Sequence, residues 1–204
     1  LVGPEDVVAV VGTSHSGILV LKNLSELPNR PKEIKSFYHK DLIYAVYYED
    51  WILYDNTGLK EVAAEWAKTM FETNKVPNLH KYKYNPESEM KVCSKEIPEC
   101  TKIIYAIGYE RNELPKITIQ DTHIKDKEIT YERTTGQFID SRENKNLPGL
   151  YGYGIAFPER VVDNLGNVEE SVGFLKFMRY HNRVIPTVVV PFIKNSREYF
   201  TPRL

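Results

Sequence analysis

The segment VVAVVGTSHSGILVLKNL, Val7–Leu24, constrains the fold of this chain more than any other stretch. Val7–Val11 is an unbroken apolar run, which reads as a strand buried on both faces. From Ile18 the apolar residues recur at Leu21 and Leu24 and close at Leu27, the stripe of a helix that faces a sheet. Pro28 and Pro31 end that helix. EIKSFY, Glu33–Tyr38, reads as the next strand. Strand, loop, helix and strand within about thirty residues make a βαβ unit.

The loop between strand and helix is Gly12-Thr13-Ser14-His15-Ser16-Gly17. Its spacing is that of a dinucleotide-binding loop, in which the first glycine permits a tight turn, the second lets backbone approach a pyrophosphate, and the third lets helix pack on strand. Gly12 and Gly17 fill the first and third places, and Ser14 fills the second. Serine keeps the approach close and offers a hydroxyl to a phosphate oxygen, and the free N–H groups of the following helix favour an anion there. Without a ligand, the same residues read as a serine-rich strand-to-helix turn. His15 reads as a polar loop residue rather than a catalytic base. At the end of the second strand stand Tyr38-His39-Lys40-Asp41. An acid there selects NAD, whereas His39 and Lys40 offer positive charge to a 2′-phosphate and favour NADP. Asp41 weakens that preference, and Lys40 also reads as a solvated surface charge.

Further along, GLKEVAAEWAKTMFET, Gly58–Thr73, predicts a helix with Leu59, Val62, Trp66 and Met70 on its apolar stripe. Asp41–Asn56 is tyrosine-rich and ambiguous. Leu79–Asn85 predicts a short strand, and Asn85–Glu99 hairpin or loop. Lys102–Ile107 predicts a second buried strand that ends at Gly108. Short β-like runs follow, KITIQ, KEITYE and TTGQFID, separated by turn residues. A last helix is predicted from Val168 to Tyr180, with Asn167 as N-cap and Glu170 completing a capping box. The tail IPTVVVPFIK is strand-like but broken by Pro186 and Pro191. The expected fold class is α/β. A Rossmann-like parallel sheet with flanking helices occupies 1–108, and a β-rich plus helix portion occupies 109–204.

Composition removes other classes. The formal net charge of −1 gives no electrostatic case for nucleic acid or an anionic membrane surface. No apolar run approaches the roughly 20 residues of a membrane helix, and the acidic N-terminus is unlike a signal peptide, so a cytoplasmic location is expected. Cys93 and Cys100 lack the spacing of a redox or zinc pair and read as free thiols, and no metal site is expected. No tyrosine is followed by lysine four residues on, which removes a short-chain dehydrogenase. His39 and Lys40 stand where a Rossmann methyltransferase would want an acid.

Two later stretches carry a resemblance. KIIYAIGYERNELP, Lys102–Pro115, resembles the strand ending in Ala-Thr-Gly of flavoproteins with two dinucleotide-binding domains, with Ala106-Ile107-Gly108-Tyr109 matching and isoleucine in place of threonine. LPGLYGYGIAFPE, Leu147–Glu159, resembles the Gly-Leu-Tyr-Ala-x-Gly-Asp segment that approaches the flavin in that family. With the Gly12–Gly17 loop they form an ordered triplet similar to that of the FAD/NAD(P)-dependent pyridine nucleotide oxidoreductases, in the style of flavin-containing and N-hydroxylating monooxygenases. The resemblance implies NADPH delivering hydride to FAD. It implies cofactor contacts at Gly12, Thr13, Ser14, His15, Ser16, Gly17, His39, Lys40, Ala106, Ile107, Gly108, Tyr109 and Gly154, with no catalytic side chain assigned.

The departures bear on the flavin. The family's acidic residue after the last glycine is Ile155 here, and no second glycine loop for FAD is present. Asp163 or Glu159 stands near enough in sequence to substitute. The sequence therefore reads either as the NADP-binding part of a longer flavin-dependent enzyme or as a stand-alone NAD(P)-binding or interaction module. The surface that would face a flavin half is a candidate homo-oligomer contact, and a small-molecule substrate is left unidentified.

Overall fold

The computed structural model describes residues 2–119 and 122–197. The chain is mixed α/β and divides into two compact units, Leu1–Tyr109 and Glu110–Leu204.

The first unit runs β1 (Val7–Val11), α1 (His15–Glu26), β2 (Glu33–Tyr38), a small hairpin of β3 (Val46–Tyr47) and β4 (Ile52–Leu53), α2 (Glu61–Trp66), β5 (Leu79–Lys83), α3 (Glu89–Glu96) and β6 (Lys102–Tyr105). β5, β2, β1 and β6 form a four-stranded sheet in that order, and all its pairings are parallel. Side chains alternate between its faces. Val8, Val10 and Ile34 point to one face. There they join Ile18, Leu21 and Leu24 of α1 with Leu59, Ala63, Trp66, Ala67 and Phe71 from the α2 region. Burying such a row is the main source of stability, at about 25 cal/mol per Å² of apolar surface.

The α2 stripe differs from the sequence expectation. Val62 is 55% exposed, while Ala63 is 1% exposed against the core. The helix starts at Glu61 rather than at Gly58, and its buried line is Leu59, Ala63, Trp66, Ala67 and Phe71. After Trp66 it continues with wider hydrogen bonds, such as Glu72 N–H to Ala67 O.

The other face of the sheet holds Lys35, 2% exposed in mid-strand. Its Nζ donates to Glu96 Oε2 at 2.9 Å and Glu99 Oε2 at 2.5 Å. Burial alone would lower the Lys35 pKa, but those two hydrogen bonds outweigh it and raise the pKa. The same contact, foremost, holds Glu96 at about 2. This network ties α3 and the short turn Ile97–Glu99 to the sheet. It corrects the expectation of hairpin or loop over Asn85–Glu99: α3 buries no residue and so shows no apolar stripe. Asn85 and Ser88 start it by a reciprocal pair, Ser88 N–H to Asn85 Oδ1 and Asn85 N–H to Ser88 Oγ. β6 is also corrected. It is an edge strand, and Ile103 and Tyr105 are exposed rather than buried.

The second unit contains β7 (Ile117–Ile119), β8 (Thr122–Ile124), β9 (Ile129–Tyr131), β10 (Gln137–Asp140), β11 (Lys145–Tyr151), β12 (Glu159–Val162), β13 (Val168–Ser171), α4 (Phe174–Val184) and α5 (Val190–Arg197). Gln120 of the KITIQ run lies outside the described residues. The strands pair antiparallel in small sheets, β11-β10-β9, β12-β13 and β7-β8. Ile124, Ile129, Phe138 and Leu147 form the core cluster. Polar clamps shape the turns. Glu132 accepts the backbone N–H groups of Thr134 and Thr135, and Asp140 accepts two bonds from the Arg142 guanidinium at 3.0 and 2.7 Å.

Two expectations fail in this unit. Val168–Ser171 is a strand, not the start of a helix. Asn167 is used up in a turn: its side-chain amide donates to Asp163 Oδ2 at 2.8 Å, and its backbone N–H to Asp163 Oδ1 at 2.9 Å. Gly166, at φ +86°, completes that turn, and β12 and β13 pair across it. The helix begins only at Phe174, after Gly173 at φ +137°. The tail is helical rather than strand-like, because α4 continues through Ile185–Val189 into α5. Thr187 Oγ1 donates to Arg183 O at 2.7 Å within that stretch, and the β-favouring valines follow the helix they extend.

Candidate functional site at the carboxyl edge of the parallel sheet

Register fixes what the sheet gathers. Val11 pairs with Phe37 on one side and Tyr105 on the other, and Tyr38 pairs with Lys83. The segments after β1, β2, β5 and β6 therefore leave the sheet along one edge. The chain steps from β1 to β2 on one side and returns as β6 on the other, so the order reverses beside β1. In open parallel sheets, ligands bind outside the carboxyl ends of the strands at such a point.

Gly12 turns there at φ +104°, with its N–H bonded to Phe37 O at 2.8 Å. A Cβ on Gly12 would sit 2.4 Å from Ala106 O, and one on Gly17 would sit 2.1 Å from Gly12 O. The third glycine thus closes the loop against the first, and Ala106 Cβ lies 3.6 Å from the same point. Gly12, Gly17 and Ala106, assigned from separate motifs, meet in one backbone cluster. Only hydrogen fits between these segments.

Ser14 is the N-cap of α1, its carbonyl accepts the Ile18 N–H at 3.0 Å, and its hydroxyl makes no capping bond. No acidic residue lies in the first turn. Ser14, His15 and Ser16 are exposed, and Thr13 is half-buried. The helix end therefore presents N–H groups, a positive dipole end and a free hydroxyl to solvent, an arrangement suited to an anion.

At the end of β2, His39 and Lys40 are both exposed, and the His39 ring lies 6.1 Å from that of Tyr84. Burial foremost pushes the Tyr38 and Tyr84 phenols up, so both stay neutral donors near neutral pH. Asp41 pairs with Lys83. Lys83 and Tyr84 also stand at this edge, and the sequence analysis does not single them out. The signal that would have found them is the end of the LHKYKYN strand, which parallel pairing sets beside the end of β2. After β6, Ile107 and Tyr109 are 70% and 90% exposed, and Gly108 at φ +95° has open space around it.

Gly154 belongs to the second unit. It turns at φ +84°, and a Cβ placed on it would meet nothing within 4 Å. Ile155 after it is exposed and carries no hydrogen-bonding side chain. The close approach in that segment is at Gly152, where a Cβ would meet Phe138 at 2.4 Å and Phe157 at 2.5 Å. It serves packing. Asp163 holds the β12–β13 turn, and Glu159 pairs with Arg183 at 2.5 Å. Ile155 thus offers no carboxylate for the flavin contact that the resemblance implies, and the Asp163 and Glu159 carboxylates are engaged within the unit.

The chain is similar to a protein named monooxygenase AgnR1, from Paecilomyces divaricatus. The two are 40% identical over 193 residues, which cover 90% of this chain and 48% of that protein. The chain thus spans about half the length of the curated relative it matches. No protein-family model matches the chain. No solved structure matches it. Among the described residues, no helix is long and apolar enough to cross a membrane.

Proposed function

We propose that the first unit is a Rossmann-like NADP(H)-binding domain, and that the chain is the nucleotide-binding portion of a flavin-dependent monooxygenase. The observation that carries this reading is the cluster of Gly12, Gly17 and Ala106 beside an uncapped, acid-free helix N-terminus. The similarity to a protein named as a monooxygenase supports the oxidoreductase class. In this reading the backbone N–H groups of the α1 N-terminus and the Ser14 hydroxyl hold the pyrophosphate, Gly12 and Gly17 let backbone approach it, and His39 and Lys40 meet the 2′-phosphate. Ala106, Ile107, Gly108 and Tyr109 line the nicotinamide side of the loop. Bound NADPH supplies a hydride, which a flavin accepts. This chain's part is to bind and orient the dinucleotide, and no flavin contact is assigned to Gly154.

Titration of the folded chain with NADPH, followed by nucleotide fluorescence, tests the reading. Ser14→Asp places a carboxylate where the pyrophosphate would sit and leaves the glycine packing untouched. Aspartate is a good N-cap and favours the helix dipole, so thermal stability should hold or rise. NADPH affinity should fall by about 100-fold or more, because like charges meet at the phosphate. Binding unaffected by Ser14→Asp would remove the loop from the site, and no binding by the folded chain at millimolar NADPH would overturn the reading.

A further inference from the structure

The segment after β2 combines cations suited to a phosphate with an acid that should repel one. The acid is not free. Asp41 Oδ1 lies 2.5 Å from Lys83 Nζ, and Lys83 closes β5 directly beside Tyr38, the last residue of β2. The Tyr84 N–H to Tyr38 O bond, at 2.9 Å, carries the pairing one residue further and fixes that placement. Lys40 has no ion-pair partner of this kind among the described residues. A carboxylate at the end of the second strand normally accepts the ribose 2′-hydroxyl and so selects the unphosphorylated cofactor.

We propose that Lys83 is the specificity-determining residue of this site: by holding Asp41 it removes the free carboxylate that would select NADH, and it adds a second ammonium beside Lys40 for the 2′-phosphate of NADPH. The proposal rests on the dinucleotide reading of Gly12–Gly17. The Asp41 and Lys83 side chains are 84% and 48% exposed. A pair so solvated adds little stability. A charge-assisted bond from Lys83 to a phosphate dianion carries little desolvation cost. The Lys83 ammonium has three N–H donors, so it keeps Asp41 while another of its N–H groups meets the 2′-phosphate. The group that feels both charges of the pair is the neutral Tyr38 phenol, and the acid nearest the neighbouring Tyr84 is Glu89 of α3.

The test is a set of dissociation constants for NADPH and NADH, measured on the full chain and on Lys83→Met, Lys83→Arg and Lys83→Met with Asp41→Asn. Lys83 is half-exposed, so the variants should fold, and Trp fluorescence checks that they do. Lys83→Met should lower the NADPH-over-NADH preference about tenfold, by losing one phosphate contact and freeing Asp41. Lys83→Arg should keep the preference. Adding Asp41→Asn to Lys83→Met should restore part of it, which simple loss of one cation would not produce. An unchanged preference in Lys83→Met, with NADPH still bound, would overturn this inference and leave the dinucleotide reading standing. Failure of the folded wild-type chain to bind either nucleotide would overturn both.

Discussion

The two units hold themselves together in different ways. In the first, one face of a parallel sheet and two helical segments share a single cluster, with Val8, Val10, Ile18, Leu21 and Ile34 fully buried. In the second, small antiparallel sheets surround a cluster of Ile124, Ile129, Phe138 and Leu147, and side-chain carboxylates clamp the turns. The first unit encodes its fold in long apolar runs, and the second encodes more of it in polar contacts between nearby residues. Periodicity reads the former directly. It cannot see that Asp163 will capture Asn167, because the alternative use of Asn167 as a helix cap is just as favourable locally.

Removing equivalent core volume from each unit should separate the two most strongly. Leu21→Ala should cost about 4–5 kcal/mol, since its fully buried site has close neighbours on every side and cannot collapse. Leu147→Ala should cost about 2–3 kcal/mol, because its small cluster can close over the gap. Denaturant unfolding followed by tryptophan fluorescence reads the first, as both tryptophans, Trp51 and Trp66, lie in that unit. Amide exchange of Gln137–Asp140 reads the second. Equal costs would mean that the second unit is packed as tightly as the first.

A smaller effect appears only on acidification. Glu96 in the first unit and Asp140 in the second are each held at about 2, by Lys35 and Arg142 respectively, against ordinary values of 4.5 and 3.8. A depressed carboxylate contributes stability that is fully present above its unfolded value and is lost as pH falls through its folded value. The first unit should therefore weaken as pH falls from about 4.5 to 2, and the second as it falls from about 3.8 to 2. Glu96→Gln should flatten that slope in the tryptophan signal. Asp140→Asn should flatten it in the exchange of the Arg142 amide, which donates to Asp140 at 2.9 Å. A slope that survives both substitutions would place the acid sensitivity in other carboxylates.

The same contrast governs what could be read from the sequence. β1, α1 and β2 were legible to within a few residues because an apolar run, a helical stripe and two prolines all mark them. α3 was not, because its anchor is Lys35, some sixty positions away in sequence, and its own surface is polar. At the site, the glycine loop was legible from spacing, since close backbone approach admits few residues. The Lys83 contact was not, because it follows from strand register. The tail misled because a valine run favours a strand in isolation, and continuity with α4 overrides that preference.

A still smaller change in stability tests how α2 is oriented in the first unit. The apolar recurrence Leu59, Val62, Trp66, Met70 is a sound helical stripe, yet the helix presents Ala63 and Ala67 to α1 and turns Val62 to solvent. Alanine side chains allow helices to pack closely, and Ala63, Trp66, Ala67 and Phe71 share the cluster with Ile18, Leu21 and Leu24 of α1. Val62→Ala should therefore change stability by no more than about 0.5 kcal/mol, with the better helix propensity of alanine offsetting what little contact is lost. A loss above about 1 kcal/mol in the tryptophan-monitored unfolding curve would mean that Val62 is buried after all, and that hydrophobicity rather than size orients α2.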